Sequence, residues 1–341
     1  MKYYLEKLLN KENLTLQEMK DAATVSFADH VTEGELAAFL AALRAKGETP
    51  EEIAGLVDVI RSQSDQTTDV LTNVMDNCGT GGDGSHSFNI STTAAFVIAG
   101  AGVKVAKHGN RSITSKTGSA DVLEHLGISL SFSKQHVEEM LGKNNIAFLF
   151  APHVQPGMKR FTTVRKNLRI PTIFNLIGPL TNPVKLDTQL LGVYRRDMLP
   201  LLAEALNQLG RKRALVVNGA GYMDEASLAG ENHLTLLENG NVTSFTLNPA
   251  DVNLPVYPNE KIRGGDAGEN ARILHDVLNG KSGPHYDTVL LNAGLGLFAN
   301  GAATSIKNGI EKAAESIKSG AALEKLERLA EYSHRVTSEV M

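Results

Sequence analysis

Positions 78–93 carry the residue types that bind phosphate. Four glycines fall within six positions, 79–84, and their backbone can present successive N–H groups to one anion. An apolar helical run at 94–101 follows, and the N-terminus of a helix favours negative charge. Asp83 would repel a bare phosphate, so we expect its carboxylate either to point away or to face a divalent cation. The segment therefore predicts a phosphate-binding loop.

Other interpretations of this loop are weaker. The glycine spacing also matches the dinucleotide fingerprint, but the acidic residue about twenty positions further on is missing, because no Asp or Glu lies between Asp83 and Asp121. A Walker loop fails because Ser85 and His86 stand where a lysine and a hydroxyl residue should follow the last glycine. A glycine-rich surface turn without a ligand remains the alternative.

A second polar loop follows a predicted strand at 103–106. It contains Lys107, Arg111 and Lys116 without any acid, and Ser119 and Asp121 then begin a predicted helix. A run of like charges is often only a solvated surface. However, both loops follow strands, and open parallel sheets bind ligands at the carboxyl ends of their strands. We therefore expect the basic loop to face the phosphate-binding loop.

Adjacent carboxylates at Asp224 and Glu225 follow a predicted strand at 214–217. Carboxylates are hard oxygen ligands, and Mg²⁺ takes one or two of them together with water and substrate phosphates. Solvated loop acids are the alternative when this loop is considered alone. The phosphate-binding loop, which carries Ser91, favours a metal site.

Positions 140–186 contain no acid but seven lysine or arginine residues. A guanidinium group among them can form a two-pronged pair with a planar carboxylate. Exposed helical arginines are common, so a purely solvated arginine is the alternative.

The elements around these residues indicate an α/β protein with a separate helical N-terminus. Thr15, Thr32 and Thr49 each precede a glutamate by three positions, which predicts three capped helices within the first seventy residues. Further on, short apolar runs predict strands at 147–150, 214–217 and 288–292, and periodic segments predict helices at 158–168, 269–278 and 305–317. Glu-Asn-Gly-Asn at 238–241 predicts a hairpin, so we expect a mixed, mainly parallel sheet flanked by helices.

Composition limits the class of protein. A chain of 341 residues that is 42% hydrophobic can bury a large core and is expected to form two domains. Its net charge of −4 gives no reason to expect nucleic acid or a membrane as a partner. Without a long apolar run or a leader segment, we expect a cytoplasmic protein. The single cysteine, Cys78, is expected to be a small buried residue and not a nucleophile.

Several motifs together closely resemble those of the anthranilate phosphoribosyltransferases. The matching segments are 79–84, 88–92, 107–111, 115–116, 118–124, 172–175, 178–183, Asp224 with Glu225, 264–267, 269–271 and 292–294. The resemblance implies transfer of the phosphoribosyl group of 5-phosphoribosyl 1-diphosphate to the amino group of anthranilate, the second step of tryptophan synthesis from chorismate. It also implies Mg²⁺, two ions per monomer, and a homodimer formed through the helical domain.

The resemblance further implies a helical domain at 1–72, joined by a returning segment at about 156–182, and an α/β domain at 73–341. It assigns Ser91, Asp224 and Glu225 to the metal. It assigns the loop 79–84 to diphosphate, positions 107–115 with Ser119 to the phosphoribosyl part, and Gly79, Asn110 and Arg165 to anthranilate. The full set of implied substrate-binding residues is Gly79, Gly82, Asp83, Ser87, Asn89, Ile90, Ser91, Thr92, Lys107, His108, Gly109, Asn110, Arg111, Ser112, Ile113, Thr114, Ser115, Ser119 and Arg165. No general base is implied.

Two departures from the family pattern and two alternatives remain. Ser87 replaces the usual threonine, and Gln155 stands where the family commonly has a histidine near the aryl acid. A pyrimidine nucleoside phosphorylase of the same fold would carry a Lys-x-Ser-Thr-Gly-Gly motif, whereas this chain has Cys78-Gly79-Thr80 before the paired glycines. A non-catalytic nucleic-acid-binding relative would lack the acidic pair and carry a basic net charge.

Overall fold

The protein begins with a bundle of four helices. We describe a computed structural model at residues 1–64, 68, 71–111 and 117–340. The helices are α1 (Lys2–Leu9), α2 (Leu16–Ser26), α3 (Glu33–Lys46) and α4 (Pro50–Ser62). The three predicted capping boxes are all present: Thr15, Thr32 and Thr49 each accept a hydrogen bond from the backbone N–H three residues on, and the glutamate there bonds back. These caps satisfy N–H groups that a helix start leaves free.

A seven-stranded mixed sheet forms the centre of the remaining chain, as predicted. Its strands are β1 (Val74–Asp76), β2 (Lys104–Gly109), β3 (Ile146–Phe150), β4 (Thr188–Gly192), β5 (Arg213–Asn218), β6 (Asn232–Glu238) and β7 (Asn241–Leu247). Their order is β3-β2-β1-β4-β5-β6-β7. The first five strands in this order are parallel, and β6 and β7 pair antiparallel through the predicted hairpin.

Helices cover both faces of this sheet. They are α5 (Ile90–Gly100), α6 (Ser119–His125), α7 (Lys134–Asn144), α8 (Ala151–Val154), α9 (Lys159–Leu168), α10 (Phe174–Ile177), α11 (Leu199–Gln208), α12 (Ala267–Leu278), α13 (Pro284–Asn300), α14 (Ile306–Lys318) and α15 (Ala321–Val340). The predicted helices at 158–168, 269–278 and 305–317 correspond to α9, α12 and α14. Among the described helices, none combines the length and the apolar composition that a membrane span requires.

The strand predicted at 288–292 is wrong, because these residues lie inside α13. This helix is buried on most of its circumference, so its sequence lacks the polar face that distinguishes a helix from a buried strand. Pro284 at its first position marks a helix start. The strand expected before the glycine-rich loop is β1, which spans only three residues, whereas β4 was not predicted.

Two hydrophobic cores lie on opposite sides of the sheet. One contains α5, α13 and the inner faces of the neighbouring helices. The other joins the N-terminal helices to α9, α10 and α11, and it includes Phe161 and Val164 of α9. The ring of Phe161 lies 4.9 Å from that of Phe27, measured between centroids. The domain boundaries at 72 and 73, with a returning segment at 156–182, remain a prediction.

Candidate active site

A cavity of about 820 Å³ opens at the carboxyl ends of the parallel strands. Its wall is built from the glycine-rich loop after β1, the end of β2 with the loop that follows, the segment from α8 to α10, and the acidic pair after β5. Parallel strands carry their carboxyl ends to one edge, so segments far apart in sequence meet there. Residues 107–111, the described start of the basic loop, line the same cavity as the glycine-rich loop, as predicted.

The glycine-rich loop folds tightly against the acidic pair. Gly81, Gly82 and Gly84 have φ values of 69°, 81° and 69°, a region that favours glycine. The N–H of Gly81 donates a hydrogen bond to Oδ2 of Asp224 over 2.6 Å. A Cβ atom on Gly79 would lie 2.4 Å from the same oxygen. In this conformation one N–H group of the loop is therefore hydrogen-bonded to Asp224.

The first turn of α5 connects the same acids to a buried lysine. The N–H of Ser91 donates to Oε1 of Glu225 at 3.2 Å. The hydroxyl oxygen of Ser91 lies 3.1 Å from Nζ of Lys107, which donates to it from the end of β2. Lys107 is 1% exposed, so its charge acts in a largely dehydrated setting.

The acids Asp83, Asp224 and Glu225 place more negative charge here than Lys107 neutralises. Burial is the main cause that raises the pKa of Asp224 to about 7, and repulsion by Asp83 is the second cause. Burial, and then repulsion by Asp224, raise the pKa of Glu225 to about 8, although Lys107 and Ser91 oppose this shift. A divalent cation would relieve both repulsions.

The donor set fits Mg²⁺ only in part. Asp224 and Glu225 offer hard carboxylate oxygens, and Ser91 offers a hydroxyl beside them. Within the described ranges, no three His, Cys, Asp or Glu side chains are grouped closely enough to hold a metal ion by themselves. The remaining ligands would therefore have to be water and substrate oxygens, which is the coordination that Mg²⁺ prefers.

Two buried amides hold the acidic loop in place: Asn292, which belongs to a segment that matches the family, and Asn218, which we did not single out from the sequence. Asn292 of α13 accepts from the N–H of Ala226 and donates to its carbonyl, each over 2.9 Å. Asn218 at the end of β5 donates to the carbonyls of Val193 and Met223. Both amides hydrogen-bond backbone groups next to Asp224 and Glu225. The sequence signal that could have indicated these amides is a polar residue in an otherwise apolar run.

The end of β2 is equally well anchored. The N–H of His108 donates to the carboxylate of Asp76, which also accepts a hydrogen bond from Asn182 over 3.0 Å. Burial raises the pKa of Asp76 to about 6 and lowers that of His108 to about 4. The imidazole is therefore neutral near pH 7, and its Nε2 atom has no hydrogen-bond partner among the described residues.

The first residues after β2, Asn110 and Arg111, contact α6. Arg111 forms ion pairs with Asp121 and Glu124, at 2.6 and 2.7 Å. In this conformation its guanidinium is therefore paired with acids at the protein surface. The hydroxyl of Ser119 donates to the carbonyl of Asn110 over 3.2 Å. The predicted residues Ser112, Ile113, Thr114 and Ser115 lie outside the described residues.

Arg165 of α9 also lines the cavity. Its guanidinium carbon lies 5.4 Å from the centre of the Phe174 ring. Burial lowers the pKa of Arg165, and no carboxylate of the described chain offsets this loss of hydration. A half-buried guanidinium without an acidic partner is suited to bind an external carboxylate.

Cys78 is half-buried beside the glycine-rich loop, so the expected full burial is corrected to partial burial. Burial raises the pKa of its thiol to about 12. The thiol is therefore protonated at neutral pH, which agrees with the prediction that it is not a nucleophile.

Comparison with known proteins assigns the chain to a family. Residues 2–64 match the helical bundle domain and residues 71–323 the α/β domain of a glycosyl transferase family. The anthranilate phosphoribosyltransferase of Exiguobacterium sibiricum is 60% identical over 329 residues, covering 96% of this chain and 97% of that protein. That of Oceanobacillus iheyensis is 55% identical over 340 residues and covers both chains fully. The chain belongs to the anthranilate phosphoribosyltransferase family.

Solved structures of the family agree with this fold. The enzyme of Thermus thermophilus superposes with a TM-score of 0.92 at 39% identity, covering 97% of this chain and 99% of that chain. The Saccharomyces cerevisiae enzyme, solved in complex with PRPP and Mg, gives a TM-score of 0.88 at 32% identity and covers 98% and 97%. The family, the fold class and the enzymatic nature of the protein are thus confirmed.

The described members of the implied substrate-binding set and of the implied metal set lie on the wall of this cavity. They are Gly79, Gly82, Asp83, Ser87, Asn89, Ile90, Ser91, Thr92, Lys107, His108, Gly109, Asn110, Arg111, Ser119, Arg165, Asp224 and Glu225. Their individual roles remain predictions.

Gln155, the departure from the family's histidine, also lines the cavity. It is 8% exposed, and Nε2 donates to the carbonyl of Thr181.

In the variant Gln155→His we expect kcat/KM for anthranilate to fall as the pH rises through about 6.5, because only the charged imidazole attracts the carboxylate. The test is the ratio of kcat/KM between variant and wild type from pH 5.5 to 8.5, since shared groups cancel. A flat ratio would show that position 155 only tethers the backbone.

Proposed function

We propose that this enzyme transfers the phosphoribosyl group of 5-phosphoribosyl 1-diphosphate to the amino group of anthranilate, and releases diphosphate. This reaction is the second step of tryptophan synthesis from chorismate. The observation that carries the proposal is the cavity itself. It brings a glycine-rich loop and an under-neutralised acidic pair into one cavity with a half-buried guanidinium. A phosphorylated sugar and an aromatic carboxylate match these two kinds of group.

The chemical barrier lies in breaking the bond between C1 and the diphosphate. Positive charge develops on the ribose and negative charge on the leaving group, so fixed electrostatic groups supply most of the acceleration. Mg²⁺, when bound by Asp224, Glu225 and Ser91, would neutralise the departing diphosphate. Lys107, the glycine-rich loop and the N-terminus of α5 would add positive charge and N–H donors for the same group.

Arg165 would hold the carboxylate of anthranilate, and Asn110 and Gly79, which line the same cavity, would contact the same substrate. This orientation directs the neutral amino group towards C1. An aryl amine attacks without prior deprotonation and can lose its proton afterwards, so no general base is required. The low pKa of His108 keeps that residue neutral, which is consistent with a hydrogen-bonding role.

Finer features are part of the same proposal. The family resemblance is the basis for expecting two Mg²⁺ ions per monomer, and Asp224, Glu225 and Ser91 are the residues that would hold Mg²⁺. A homodimer through the helical domain would cover Tyr3 and Leu9, which are 58% and 72% exposed on α1. Light scattering would measure the mass in solution, and a monomer at working concentration would contradict the dimer. A cytoplasmic location remains an expectation.

The decisive experiment follows the fluorescence of anthranilate with both substrates and Mg²⁺ present. Consumption should stop when either 5-phosphoribosyl 1-diphosphate or Mg²⁺ is omitted. Parallel assays with a pyrimidine nucleoside plus phosphate, and with nucleic acid as a binding partner, test the two alternatives. Activity only with the nucleoside, or binding without any turnover, would overturn the proposal.

A further inference from the structure

Asn89 lies at the N-cap of α5 but does not cap it. Asparagine is among the best N-cap residues, and its side-chain oxygen normally accepts from an N–H of the first turn. Here no such bond forms. The N–H of Ser91 donates to Glu225, and that of Thr92 donates to no residue in the described part of the chain. The Asn89 oxygen instead accepts a hydrogen bond from Nδ2 of Asn270, over 2.8 Å.

One backbone group fixes the orientation of both amides. The N–H of Gly265 can only donate, so the Asn270 atom 2.8 Å away must be the acceptor oxygen Oδ1. Nδ2 of Asn270 therefore points at Asn89, and the atom that it meets there must be Oδ1. Nδ2 of Asn89 is left as a donor without a partner in the described ranges, on a residue that lines the cavity.

Asn270 has little freedom to move. It is 2% exposed and does not line the cavity. A Cβ atom on Gly264 would lie 2.5 Å from Oδ1 of Asn270 and 2.7 Å from Cα of Phe88. This close packing joins the start of α12 to the start of α5. Any effect of Asn270 on a ligand must therefore pass through another residue, and Asn89 is a residue of the cavity wall to which its side chain donates a hydrogen bond.

We propose that Asn270 is a positioning residue for the diphosphate group of the substrate. It turns the Asn89 amide so that an NH₂ group, and not an oxygen, is available to an anion. It also keeps the Asn89 oxygen from capping α5, so the N–H of Thr92 stays free for the same anion. This inference rests on the proposed function, because it requires that a diphosphate binds at the start of α5.

Two substitutions separate this role from simple packing. Asn270→Ala removes both hydrogen bonds, so Asn89 becomes free to cap Thr92. Asn270→Asp keeps the oxygen for Gly265 but presents a second oxygen to Asn89, which turns the Asn89 amide and points its own oxygen at the ligand. We expect KM for 5-phosphoribosyl 1-diphosphate to rise about two- to tenfold in the Ala variant and more than about tenfold in the Asp variant. KM for anthranilate should stay within about twofold in both.

A double-mutant cycle with Asn89→Ala tests the pathway. If Asn270 acts through Asn89, Asn270→Asp should have little further effect once Asn89 is alanine. If the new carboxylate only repels the anion, the loss persists in that background and the proposal is wrong. A purely structural role predicts the opposite order, with the Ala variant more damaged than the Asp variant because only Asp retains the Gly265 bond.

Binding of inorganic diphosphate with Mg²⁺, measured by calorimetry, provides a readout that does not depend on turnover. The expected order of affinity is wild type, then Asn270→Ala, then Asn270→Asp. Asn279→Ala, at the exposed end of the same helix, is the matched control and should bind like wild type. If wild type itself binds no diphosphate, the proposed function fails. If wild type binds and both Asn270 variants match it, only the role of Asn270 fails.

Discussion

Replacing Glu225 by Gln is expected to lower Mg²⁺-supported turnover at least about tenfold, a typical cost of disturbing a metal site. The amide keeps the size of the side chain and can still accept from the N–H of Ser91, but it loses the charge. We expect the Mg²⁺ concentration for half-maximal activity to rise, and titration of activity against Mg²⁺ at fixed substrate concentrations measures this shift.

The matched control is Glu231→Gln, an exposed acid that follows the same loop and lies outside the cavity wall. It should retain the wild-type Mg²⁺ dependence. Full wild-type activity in excess chelator would refute the metal requirement. An equal loss in both variants would instead indicate a general effect of net charge.

Replacing Arg165 by Ala is expected to reduce kcat/KM for anthranilate about ten- to hundredfold. Loss of a charge-assisted, two-pronged contact costs about 1.5–3 kcal/mol. The KM for 5-phosphoribosyl 1-diphosphate should change little, because the proposal assigns Arg165 to the carboxylate of anthranilate and not to the diphosphate. Steady-state kinetics with each substrate varied in turn measures the two effects separately.

Lys166→Ala is the matched control, because Lys166 is exposed on the same helix and does not line the cavity. Arg165→Lys should recover only part of the activity, since an ammonium group cannot reproduce the two-pronged geometry. Equal loss of affinity for both substrates would mean that Arg165 supports the fold through its contact with Phe174.

Local signals in the sequence predicted much of the fold. The capping boxes of α2, α3 and α4, the hairpin between β6 and β7 and the helices α9, α12 and α14 depend on neighbours within a few residues. The apolar run at 288–292 was misjudged, because a helix buried on most sides has no polar period to reveal it. Strand β1 is too short to give a pattern, although it positions the glycine-rich loop.

By itself, the sequence determined the chemical inventory: a glycine-rich loop before a helix, a basic loop, an acidic pair, and the motifs of one enzyme family. Only the tertiary structure decided how these groups interact. It placed the Gly81 N–H on Asp224, raised the pKa of Asp224 and Glu225, and turned Asn89 away from its own helix towards Asn270. The last contact joins residues 181 positions apart. Burial and long-range hydrogen bonds depend on which segments meet in space, and no local pattern encodes that.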